Sequence, residues 1–209
     1  MAEVETAPGT LRPGGRTARV RAAVLRAAED ALIECGVDGI DLAEIARRAE
    51  VGKTTVYRRW GNAGALVADL LEDMAEQSVA RTETGSLDGD LRANARLVVR
   101  TLTDERQGAL FKAMIAAAAN DERTAEALHR FYATRIQEWA PCVTQAVERG
   151  EIPDGTDAPE VIRAVSAPLY YRFLASGDPL DETVADRAAH AATCAARAGA
   201  YAKPREARP

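Results

Sequence analysis

The segment Ile40–Trp60, IDLAEIARRAEVGKTTVYRRW, limits the possible folds more than any other part of the chain. Leu42, Ile45, Ala46 and Ala49 recur at helical spacing, so a short helix here carries one apolar stripe. Asp41 precedes it as an N-cap, and Glu44 stands in the capping-box position. Glu50, Val51 and Gly52 then predict a turn, with Val51 filling the angle between two helices. A second short helix over Lys53–Arg59 buries Val56 and, just beyond it, Trp60. It turns Lys53, Thr54, Thr55, Tyr57 and Arg58 outward. Two short helices joined by a tight turn, the second rich in donors, are the elements of a helix-turn-helix reader of the DNA major groove.

The sequence around this segment supports that reading. A helix from about Ala18 to Cys35, capped by Thr17, has Val20, Val24, Ala27, Ala28, Ala31 and Leu32 on one side, and Gly36 ends it. Net charge over the 209 residues is −5, which by itself argues against a nucleic-acid partner. The charge is uneven, however. Leu11–Asn62 holds ten Lys/Arg against seven Asp/Glu, whereas Ala63–Pro209 holds 17 against 23. A basic head on an acidic body keeps phosphate attraction at one end. Pro13, Gly14 and Gly15 predict a non-helical start between Arg12 and Arg16. That stretch reads either as an arm for a minor groove or as a frayed terminus.

Gly36, Ile45-Ala46, Ala49, Val51, Thr55, Tyr57, Trp60 and Ala65-Leu66 together resemble the DNA-binding domain of the TetR/AcrR family of transcriptional regulators. The resemblance covers about residues 18–75. Asp41 stands where a threonine is common in that family, Glu50 where a turn glycine is common, and Gly52 where a serine cap is common. Ala63-Gly64 replaces a lysine–glutamate pair. The resemblance implies a DNA-binding set of Arg16, Asp41, Lys53, Thr54, Thr55, Tyr57, Arg58 and Arg59. Lys53, Thr54 and Arg58 would read base edges, and Thr55, Tyr57 and the arginines would hold the backbone.

Beyond Asn62 the chain predicts an all-α body. A linking helix carries Leu66, Val67, Leu70, Leu71 and Met74 toward Arg81. After the turn-rich TETGSLDG come helices over about 90–104, 108–119, 122–149 (with Pro141 inside it), 159–176 and 181–201, for about nine helices in all. The expected division is a flexible basic arm at 1–16, a helix-turn-helix domain at 17–62 and a helical ligand-binding and dimerisation domain at 63–209. Phe111, Met114, Phe131, Tyr132, Trp139, Tyr170 and Phe173 hold most of the body's aromatic and soft side chains. The resemblance makes Phe111, Met114, Phe131, Arg135, Trp139 and Tyr170 the candidate effector pocket, with His129 a second polar anchor. It also implies a homodimer through the last two helices, rich in Ala185, Ala188, Ala189, Ala192, Ala195 and Ala196, and hence a palindromic operator.

Other classes are excluded or less favoured. No Gly-rich phosphate loop, nucleophile elbow or nucleophile–His–carboxylate spacing is present, so an enzyme is not expected. Cys35, Cys142 and Cys194 lie far apart and form no ligand spacing with His129 or His190, so neither metal nor cofactor is expected. With no membrane-length apolar run or signal peptide, the expected setting is the cytoplasm. The expected partners are therefore double-stranded DNA, a small-molecule effector and a second copy. The alternatives are a DNA-binding protein without ligand control, and a helical dimer acting through protein partners with a degenerate reader.

Overall fold

The computed structural model describes residues 14–77 and 81–202. Among them are nine α-helices and no strand, in keeping with the all-α expectation. They are α1 (Gly14–Cys35), α2 (Leu42–Arg48), α3 (Lys53–Arg59), α4 (Ala63–Glu76), α5 (Leu87–Thr103), α6 (Glu105–Ala118), α7 (Glu122–Glu148), α8 (Ala158–Tyr171) and α9 (Glu182–Arg197). A 3₁₀ turn (Val37–Gly39) follows α1, and a π-turn (Arg172–Ser176) extends α8.

Helix starts follow capping chemistry closely. Asp41, Asn62, Ser86, Asp104, Asp121, Asp157 and Asp181 each accept a hydrogen bond from a backbone N–H of the helix that follows. Ser86 therefore begins α5 earlier than the expected residue 90. Asp90 instead lies buried inside the first turn, accepting from the Thr84 N–H at 2.7 Å and standing 2.8 Å from its hydroxyl. Helix α1 corrects a second expectation, because Gly14, Gly15 and Arg16 form its first turn. Arg16 is thus an exposed helical side chain, and the rest of the expected arm lies outside the described residues. Helix α7 continues through Pro141, whose ring faces solvent. In α2, Glu44 does not reach back to complete a capping box. Arg47 and Arg48 take both its oxygens and hold its carboxyl down at about 2.

Two hydrophobic cores lie side by side. The first joins α1–α4 to α6 and the start of α7 through Val24, Leu32, Ile45, Val56, Leu66, Leu71, Met114 and Phe131. The second joins α5, the later part of α7, α8 and α9 through Leu91, Trp139, Val143, Val165, Leu169 and Ala189. Burial of this apolar surface is the main force holding the helices together. Helix α4 belongs wholly to the first core and lies along α7. Gly64 permits that approach, since a Cβ there would meet the Asp121 carboxylate at 2.9 Å. The close contact accounts for a glycine at the start of α4.

Candidate nucleic-acid interface and body cavity

Helices α2 and α3 are set by a few buried side chains. Leu42, Ile45 and Ala46 of α2 and Val56 of α3 are buried against α1 and α4, with Val51 half-buried at the corner. Glu50 closes the turn at φ 55°, the left-handed region that costs a non-glycine residue on the order of 1 kcal/mol. The Val51 N–H donates to the Ala46 carbonyl across this turn at 2.9 Å, so the tight geometry survives the strain.

The outward face of α3 carries Lys53, Thr54, Tyr57 and Arg58, all exposed, with Tyr57 at 48%. Thr55 is only half-buried beside them. Among the described residues, Lys53, Arg58 and Arg59 have no carboxylate within salt-bridge distance. Most arginines elsewhere do: Arg47 and Arg48 pair with Glu44, and Arg48 also with Glu34. Arg59 instead lies over the Trp60 ring at 5.1 Å. Asp41 spends its carboxylate on the Ala43 N–H at 2.8 Å. That bond makes Asp41 the N-cap of α2.

A network fastens this head to α4. The Trp60 indole donates to Asp69 Oδ2 at 2.8 Å, and Arg21 of α1 donates to Asp69 Oδ1 at 2.7 Å and also pairs with Asp73. Burial pushes the Asp69 carboxyl up, but Arg21 and Trp60 more than offset it and hold it below the usual carboxylate range. On its other side α4 is held by α7 at three levels. The Thr124 hydroxyl lies 3.2 Å from the Gly64 carbonyl, Arg130 pairs with Glu72 at 2.9 Å, and Arg135 donates to the Met74 and Gln77 carbonyls at the helix end.

That helix end borders a cavity of about 740 Å³ between α4, α5, α6, α7 and α8. Of the expected pocket residues, Phe111, Phe131, Arg135, Trp139 and Tyr170 line it. His129 does as well, as an exposed side chain. Met114 does not: it is fully buried in the first core, behind the wall. Phe173 also stands outside the lining, with the Lys112 ammonium 4.9 Å over its ring. The aromatic wall is a chain of ring contacts, Phe111–Phe131 tilted at 5.7 Å and then two edge contacts, Phe131–Tyr132 at 5.3 Å and Tyr132–Tyr170 at 5.5 Å. Asn94 was missed in the sequence. It sits between Leu91 and Val98 at helical spacing, and a lone carboxamide in an apolar stripe is the signal that could have found it.

A sequence model for bacterial regulatory proteins of the tetR family matches residues 24–70, and one for the tetracyclin repressor-like C-terminal domain matches residues 81–192. The chain belongs to the TetR family. It is similar to the uncharacterised HTH-type transcriptional regulator YdeS of Bacillus subtilis, with 32% identity over 77% of this chain and 81% of that protein. A DNA-binding transcriptional repressor TetR of Mycobacteroides abscessus is 30% identical over 79% of this chain and 87% of its own length. A solved TetR-family structure from Mesorhizobium loti superposes with a TM-score of 0.70 at 25% identity, covering 88% of this chain and 98% of that one. The protein is accordingly a helix-turn-helix transcription regulator, and α2–α3 is the family's DNA-binding motif.

The TetR-type body has a feature the alanine pattern did not foretell. Ala185, Ala188, Ala189, Ala192 and Ala196 are buried inside the protomer, where α9 packs on α5 and α8. The exposed apolar residues along the later part of α8 and its π-turn include Ala167, Pro168, Tyr171 and Leu174, with Tyr171 at 64%. From α9 the exposed residues are Glu182, Thr183, Arg187, His190, Ala191, Cys194 and Arg197. Among the described residues no helix is long and apolar enough to cross a membrane, and no cluster of His, Cys, Asp or Glu could hold a metal ion.

Proposed function

We propose that this TetR-family regulator is a repressor that acts as a homodimer on a palindromic operator and is released by a small-molecule effector bound in the body cavity. The observation that carries this reading is the position of α4. One face of the helix is locked to the DNA-reading head through Asp69, and its C-terminal carbonyls are held by Arg135 at the cavity wall. Lys53, Arg58 and Arg59, which lack carboxylate partners among the described residues, would neutralise phosphates. Lys53, Thr54 and Arg58 have the donors that base edges in the major groove require. An effector favours release only by binding more tightly to the form in which α4 has moved, and that difference in affinity sets the size of the response. The exposed strip of Tyr171, Leu174, Ala167 and Pro168 is the surface a second copy would cover, placing two α3 helices on one face of a duplex.

Selection from a randomised duplex library at two salt concentrations, with the oligomeric state measured by sedimentation, tests the reading. The expected result is an enriched palindrome bound by a dimer with a steep salt dependence. Weak, salt-sensitive binding with no enriched sequence would overturn it.

A further inference from the structure

The charges and unpartnered polar atoms of the cavity carry an inference about what it holds, one that rests on the effector reading above. Two arginines line the space, and each is matched by a carboxylate. Arg135 pairs with Glu138 at 2.7 Å while its other nitrogen holds the end of α4, and Arg163 pairs with Glu160 at 2.8 Å. His129 is exposed to water. Among the described residues Glu138 is the one carboxylate in the lining, and Arg135 already pairs with it. A cation entering the cavity therefore meets no free carboxylate. An anion would have to take Arg135 from both Glu138 and the α4 carbonyls, or draw Arg163 from Glu160 at the exposed rim. The rest of the wall is mostly apolar and aromatic, with Leu97, Val98, Ile115, Phe131, Trp139 and Tyr170, and its other polar side chains, such as Thr101, Gln107 and Ser166, are uncharged.

Within this lining the side-chain oxygen of Asn94 on α5 is buried without a hydrogen-bond partner in the protein, whereas the buried Tyr132 hydroxyl on α7 faces Tyr170. Asn94 is 5% exposed, so its carboxamide has left water without finding a replacement bond. Native proteins seldom leave such groups unpaired, and a buried acceptor in a binding cavity is one that a ligand can satisfy. We infer that the effector is an uncharged aromatic compound carrying a hydroxyl or amide donor, which hydrogen-bonds Asn94 while its rings pack among Phe131, Trp139 and Tyr170.

Four fluorescent probes with one ring system test this: methylpyrene, pyrenemethanol, pyreneacetate and pyrenemethylammonium. Titration of the full-length wild-type protein is expected to rank pyrenemethanol at least about tenfold above both ionic probes, since a charge pays heavily for entering an apolar site. In Asn94→Leu, which keeps the branched shape and the number of heavy atoms, the preference for pyrenemethanol over methylpyrene is expected to fall by about tenfold. An ionic probe that binds as tightly as the alcohol, or an unchanged preference in the variant, overturns the ligand class and leaves the cavity reading standing. Saturable binding of none of the four removes the effector cavity itself, and this inference with it. The ranking in the wild type needs no variant, and circular dichroism confirms that the variant is folded before its ratio is read.

Discussion

The indole N–H of Trp60, the residue that ends α3, donates to Asp69 in the middle of α4 at 2.8 Å. This bond ties the DNA-reading helix to the helix that borders the cavity. Arg21 occupies the other carboxylate oxygen, so α1 belongs to the same unit.

Trp60→Phe keeps an aromatic ring but deletes the donor and part of the buried indole, and is expected to cost about 1–3 kcal/mol in urea unfolding. Asp69→Asn tests the charge. The Asp69 carboxyl sits below its ordinary range, so its contribution is complete above the unfolded-state pKa of about 4 and is lost as pH falls through the lower folded value. The stability gap between wild type and Asp69→Asn should therefore be flat near neutral pH and close only in acid. A gap that closes with rising pH would contradict the network.

Arg58→Ala is expected to weaken binding to the selected operator by about 1–3 kcal/mol, with the melting temperature nearly unchanged. Arg47→Ala serves as the contrast. Glu44 already holds that guanidinium, so its loss should change operator affinity far less. Equal loss from Arg58→Ala on specific and random duplexes would make Arg58 a phosphate contact and not a base reader.

Arg135→Gln frees the Met74 and Gln77 carbonyls and leaves Glu138 without its cation. Stability should fall by about 1–3 kcal/mol, and amide exchange in the last turn of α4 should quicken. Unchanged exchange there would show that α7 does not hold the helix end.

Asn94→Leu is expected to raise stability by about 1 kcal/mol, because it removes a buried acceptor that has no partner. Calorimetry would read this directly, and a fall in melting temperature would mean that the carboxamide is satisfied in the folded protein. Residues kept for binding at the expense of stability behave in this way.

Glu50→Gly should stabilise by about 0.5–1 kcal/mol, since glycine adopts the left-handed turn without the steric cost a Cβ brings. An unchanged or lower midpoint in denaturant would show that the turn carries no strain.

How much of this was legible in advance depended on the range of the interactions. The helix-turn-helix is a local pattern. Leu42, Ile45, Val56 and Trp60 point inward because their spacing matches one helical face, and the outward positions of Lys53, Tyr57 and Arg58 follow from the same spacing. The head's positive balance could likewise be read by counting. The start of α1 could not, because Gly14 and Gly15 argue locally against a helix that the rest of α1 continues. Propensity is a weak preference that its context overrides. For the same reason the capping box at Asp41 reads well in sequence, yet Glu44 is taken by two arginines one turn further on.

The sequence by itself determined the helical class, the reading motif and the identity of most aromatic residues in the body, because each rests on periodicity within a single helix. Only the tertiary structure decided which residues face the cavity and which the core. It placed Met114 behind the wall and Asn94 in front of it. It turned the alanines of α9 inward against α5 and set Arg135 across the end of α4. Those outcomes depend on how separate helices cross: Arg135 and Met74 are 61 residues apart in the chain, and the α5–α9 pair Arg96 and Asp186 is 90 apart. A stripe can show that a helix has a buried face, but which neighbour buries it is settled by packing.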